Sequence, residues 1–152
     1  MGTPARRTIL TNLKTALEAI TVAGGYKSTV KTVEIARSAK VWEEVPPSER
    51  PYIGVVPMES VYISEHVGPY YQVDFRIQLA IYVTGSSVDL RAQAMSSIID
   101  DVAAAVAVDR SRGGAASDTW VAQDFTDEGD TEEDGCVRVD LKVRYFREET
   151  KS

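Results

Sequence analysis

The most regular stretch of the chain is 71–83, where Tyr71, Val73, Phe75, Ile77, Leu79, Ile81 and Val83 alternate with Gln72, Asp74, Arg76, Gln78, Ala80 and Tyr82. A period of two puts the first set on one face of a strand and the second on the other, so one face is buried and one is wet. That pattern favours an antiparallel or mixed sheet covered on one side. The same period returns over 136–146, with Val137, Val139, Leu141, Val143 and Tyr145 inward and Arg138, Asp140, Lys142 and Arg144 outward. Shorter strands are expected at 29–35, at 52–56 up to Pro57, and at 119–122, with 61–63 extending or pairing with the second of these.

Two segments carry a helical period instead. Leu10, Leu13, Leu17 and Ile20 recur at spacings of three and four behind Thr3-Pro4, which suits an N-cap and a first helical position. Leu90, Ala94, Met95, Ile98, Ile99, Val102 and Val106 form a second stripe, with Gln93, Ser97, Asp100 and Asp101 expected outside it. Ser86 and Asp89 have the spacing of a capping box at its start. The prolines of Val45-Pro46-Pro47-Ser48-Glu49-Arg50-Pro51 exclude regular structure there, so 36–50 is expected to be a flexible loop, as is 109–135. The order helix, strands, helix, strands predicts a single α+β domain over 1–152, with two main helices on one face of a four- or five-stranded mixed or antiparallel sheet.

Size and composition are consistent with one core. A chain of 152 residues buries roughly 68–70% of its unfolded surface and needs no disulfide or metal to hold it together. Cys136 and His66 are each alone in the sequence. That removes a disulfide, a CxxC pair and a multi-histidine metal site, and leaves a triad possible only through His66. No apolar run reaches the roughly 20 residues of a membrane span, and the opening MGTPARRTIL does not have the form of a signal peptide.

The net charge of −6 disfavours binding to polyanions. Its distribution is uneven: 109–135 alone holds nine acids against Arg110 and Arg112. Asp124, Asp127, Glu128, Asp130, Glu132, Glu133 and Asp134 form either a solvated hairpin loop or a surface that meets a basic partner or repels a passing polyanion. A calcium loop counted from Asp124 would close at Gly135, where the bidentate glutamate is missing. Arg110 and Arg112, after the second helix, could pair with a neighbouring subunit's acids or interact with their own helix end. Trp42 and Trp120 adjoin irregular segments and are candidate aromatic anchors at a protein interface, or cover for the core. The sequence contains no nucleophile elbow, no phosphate loop and no paired-carboxylate pattern. No catalytic residue, cofactor or metal is therefore expected, and a subunit of a symmetric assembly is favoured over an enzyme.

The segment order resembles a family. ILTNLKTALEAITVAGGY, PYIGVV, YYQVDFRIQLAIYV, IIDDVAAAVAVDRSRGGAA, TDEG and VRVDLKVRYF follow one another as in the tail terminator (tail completion) proteins of long-tailed bacteriophages, of the lambda tail terminator class. The resemblance implies a virion structural protein at the head-proximal end of the tail, assembled in the host cytoplasm. Such proteins form a hexameric ring that caps the tail tube, ends its polymerisation and offers a docking surface to the head and neck. The implied partners are copies of the chain itself, the tail tube protein, a neck or connector protein and, if the tail is contractile, the sheath protein. DNA would pass through the ring without specific binding, and the acidic 124–135 region is a candidate lumen or partner surface. The alternatives are a neck or head-completion protein of the same virion and, from another class, a small hydrolase or ligand-binding domain built on Glu65, His66 and nearby tyrosines.

Overall fold

The computed structural model describes residues 4–63, 70–126 and 134–148. Helix α1 spans Ala5–Glu18 and α2 spans Val88–Val108; the strands are β1 (Thr32–Ile35), β2 (Tyr52–Ile63), β3 (Tyr70–Thr84), β4 (Asp118–Thr126) and β5 (Asp134–Glu148). They form one five-stranded sheet in the order β1-β2-β3-β5-β4, parallel between β1 and β2 and antiparallel elsewhere. The α+β class, the mixed sheet and the two helices are as the periodicities require.

Both helices cover one face. α1 packs over β1 and β2, and α2 over β3, β5 and β4. Ile9, Leu13 and Leu17 of α1 and Ile98 and Val102 of α2 are fully buried against Phe75, Ile77, Leu79, Ile81, Leu141 and Val143. At roughly 1.5–3 kcal/mol for each buried aliphatic or aromatic side chain, this layer is the main source of stability.

The structure differs from the sequence expectations in several places. β2 does not stop at Pro57 but continues to Ile63 through an irregularity between Pro57 and Ser60. Its pairing with β1 ends at Val55, so Pro57 lies where one edge of β2 is open and the missing N–H leaves no gap in a ladder. The N-cap of α1 is Pro4, whose carbonyl accepts from Arg7 and Thr8; Thr3 lies outside the described residues. The serine that caps α2 is Ser87, accepting from the backbone N–H of Leu90 at 3.1 Å, so the Ser86–Asp89 box does not form. The 109–135 region is not all loop, because β4 takes Asp118–Thr126 and β5 begins at Asp134.

The 36–50 segment contains two short 3-10 turns, Trp42–Glu44 and Pro47–Glu49, and is folded against the sheet. Val45, Tyr52 and Tyr82 pack together on the face opposite the helices, each nearly or wholly buried, with Cys136 beside them. Tyr82 and Ala80 were expected on the wet face, yet both are buried there. The sheet is thus covered by helices on one side and, at one end, by this segment on the other.

Candidate functional site

Among the described residues, nothing covers the rest of the second face. Alternation sends the polar residues of β3 and β5 to it, and the antiparallel register sets them opposite one another: Asp74 to Arg144, Arg76 to Lys142, Gln78 to Asp140. Two rows of charge cross the strands. Arg144 donates to both oxygens of Asp74 at 2.9 and 3.1 Å, and its guanidinium lies 5.3 Å from the centre of the Trp120 ring on β4. Arg76 donates to both oxygens of Glu59 at 2.8 and 3.1 Å and reaches Asp140 at 3.5 Å, which also accepts from Gln78 at 3.3 Å. The Glu59 pair holds the Arg76 guanidinium above its ordinary range, and the Asp74 pair does the same for Arg144. Phe125 and Phe146, both largely exposed, stand on the same face by register, opposite Arg138 and Gln72.

The covered end holds a second, half-buried polar cluster. Tyr52 donates to Glu34 at 2.8 Å, and Glu34 also pairs with Lys40 at 2.6 Å. Lys40, then Tyr52, hold the Glu34 carboxyl below the usual range, while burial, followed by Glu34, pushes the Tyr52 phenol up. Arg138 bridges the Tyr82 hydroxyl at 3.2 Å and the Cys136 sulfur at 2.9 Å. Arg50, 3% exposed, donates twice to the Val45 carbonyl. Lys40 ties the 36–50 segment to the sheet twice, through its ammonium on Glu34 and through its carbonyl, which accepts from the Tyr82 hydroxyl at 2.5 Å.

The described depressions are open and shallow. One, of about 390 Å³, runs along α2 past Asp89, Gln93, Ser96, Asp100 and Lys27. Another, of about 210 Å³, lies between α2 and β4 and is lined by Ala103, Val106, Ala107, Arg110 and Trp120. Among the described residues, no group of three or more His, Cys, Asp or Glu side chains could hold a metal ion. No helix among them is long and apolar enough to cross a membrane.

The residues singled out in the sequence fall in different places. Arg110 is exposed and donates to both oxygens of Asp118 at 2.6 and 2.9 Å, so its described partner is in its own chain. Of the two expectations for Arg112, the structure shows the one at its own helix end: its side chain is fully buried. It bonds back to the carbonyls of Val106 (2.8 Å) and Asp109, closing the end of α2 from inside. Asp124 is exposed on β4, opposite Val139. Asp134 starts β5 opposite Thr84. The side chains of Asp134 and Trp42, and all of Asp127, Glu128, Asp130, Glu132, Glu133, Glu65 and His66, lie outside the described residues. Trp120 is partly buried under Arg144.

Sequence reasoning missed Asp101. Expected to face out, it is 3% exposed and accepts from the backbone N–H groups of Lys27 and Ser28 at 2.9 and 2.7 Å. A signal existed, since Asp101 stands three residues after Ile98 and four before Ala105, on the apolar stripe itself.

No family model matches the chain, and no curated protein matches it closely enough to count as a relative.

Proposed function

We propose that the protein is a virion structural subunit of the tail terminator type, forming a ring that caps the tail tube and receives the neck. Six copies around one axis would present six uncovered sheet faces and six pairs of flanks to the tube and the neck. The resemblance of segment order along nearly the whole chain suggests the role. The observation that carries it is the uncovered sheet face, whose acids and bases already satisfy one another across strands and which has exposed Phe125 and Phe146 at its margins. Such a face is broad, pre-ordered and amphipathic, and so suits contact with another protein surface.

Electron microscopy of the purified protein, alone and mixed with tail tubes, tests the reading. Six-fold rings at one end of the tubes, with tube growth arrested, are the expected result. A persistent monomer that never binds tubes overturns it. Loss of the protein during infection separates terminator from neck: overlong tails support the proposal, whereas normal tails that fail to join heads favour the neck reading.

A further inference from the structure

Charge is segregated between the two sides of the helix layer. The α1 side, next to edge strand β1, exposes Arg6, Arg7 and Lys31, and none of them has an acidic partner among the described residues. Lys14 is paired with Glu18 there at 3.5 Å, and Glu34 with Lys40. The acids of the 36–50 segment, Glu43, Glu44 and Glu49, belong to the layer on the other side of the sheet. The opposite side, made by α2 and edge strand β4, carries Asp89, Asp100, Asp109, Asp118 and Asp124. Lys27 and Arg110 neutralise Asp100 and Asp118, and Arg112 lies against Asp109, which leaves Asp89 and Asp124 in excess. Between α2 and β4 lies the depression of about 210 Å³ lined by Ala103, Ala107 and Trp120.

We infer that the basic α1 side of one copy docks on the acidic α2–β4 side of the next, the depression between α2 and β4 taking apolar side chains from the neighbour. The inference rests on the assembly reading above and says how its copies meet. Two unlike, complementary surfaces on one chain produce a head-to-tail contact, and such a contact closes into a ring when the rotation per subunit allows it. Opposite excess charge steers the copies into this register and opposes like-to-like pairing of either side. The part of β2 left open beyond Val55 carries Pro57 and an irregular register, and edge strand β4 a register shift between Val121 and Gln123, devices that blunt strand-to-strand pairing.

The test uses two double variants of the full chain, Arg7→Glu with Lys31→Glu, and Asp89→Lys with Asp124→Lys, none of whose side chains forms a described internal pair. Circular dichroism and thermal melting first establish that both fold. Each chain then carries like charge on both sides, so each variant alone is expected to remain monomeric by sedimentation and on tubes. An equimolar mixture is expected to reassemble in alternation, and moderate salt to weaken both the wild-type and the mixed assemblies. A wild type that assembles while the mixture does not, or variants that assemble alone as well as the wild type, overturns the charged-side contact and leaves the ring reading intact. A wild type that stays monomeric, even with tubes present, overturns both.

Discussion

Asp101 on α2 accepts the backbone N–H of Ser28 at 2.7 Å, and through its other oxygen that of Lys27 at 2.9 Å, so a buried carboxylate ties the second helix to the turn leading from α1 to β1. Hydrogen bonds to a charged group contribute about 1.5–3 kcal/mol, and their loss leaves two backbone donors without partners. Asp101→Ala is expected to cost about 3 kcal/mol in urea unfolding. Asp100→Ala, one position away and losing only an exposed pair with Lys27, is expected to cost far less. Equal costs would show that the bond to the turn contributes nothing.

Arg112 adopts φ of 50° and is followed by Gly113 and Gly114 at φ of 71° and 89°, three left-handed residues in a row after α2. The two glycines allow this path, and a Cβ on Gly113 would approach the Asn12 amide at 3.2 Å. The buried guanidinium then caps the end of the helix, although its Nε and one terminal nitrogen have no partner among the described residues. Arg112→Ala removes both the caps and a large buried volume, so a loss of about 2–4 kcal/mol is expected. Arg112→Met keeps the volume and discards the unpartnered donors, and is expected to retain at least half of that loss. Calorimetry on the two variants separates packing from capping.

Acid should destabilise the fold through identifiable groups. Glu34, held by Lys40 and Tyr52, titrates below its ordinary value of 4.5, and Asp118 beside Arg110 lies below its ordinary 3.8. The unfolded chain therefore takes up protons at a higher pH than the folded one. The stability from these groups is fully present above the unfolded values and is lost as pH falls through the folded ones. The urea midpoint is expected to be level near neutrality and to decline from about pH 4.5 downward. Glu34→Gln should flatten part of that decline, and an unchanged slope would remove Glu34 from the account.

Trp120 reports on the uncovered face because Arg144, clamped by Asp74, lies over its ring. Asp74→Asn breaks the charge pair while leaving the strand intact. A change in tryptophan emission is expected at a stability cost of no more than about 1 kcal/mol, since Arg144 is partly exposed. Emission identical to that of the wild type would mean that the cation does not sit on the ring in solution.

The elements that were legible in the sequence share one property: their signal is local and periodic. The unbroken alternation of 71–83 and 136–146 identified the two central strands and the face each turns to the helices. The stripes of α1 and α2 were readable because a helix repeats its buried positions every three or four residues. Where a single residue decided the outcome the reading shifted, as at Pro57, Ser87 and the end of β4. An edge position, a cap one residue later and a strand with mixed exposure all depend on what lies alongside.

Candidate site residues followed the same division. Of the row Glu59–Arg76–Asp140, the sequence showed Arg76 and Asp140 as outward-facing charges on two strands and left Glu59 between the expected strands 52–56 and 61–63; the continuous β2 and its register turned them into a network. Arg110 and Arg112 are two positions apart and look alike in sequence, yet one is exposed beside Asp118 and the other is fully buried. The sequence by itself determined the α+β class, the order of the helices and main strands, and which side of each faces the core, because hydrophobic burial follows the period of the backbone. Only the tertiary structure decided which polar groups go inside. Burial of Asp101, Arg112 and Tyr82 is tolerated where partners lie within hydrogen-bond reach, and those of Asp101 and Tyr82 come from as far as 74 and 56 positions away.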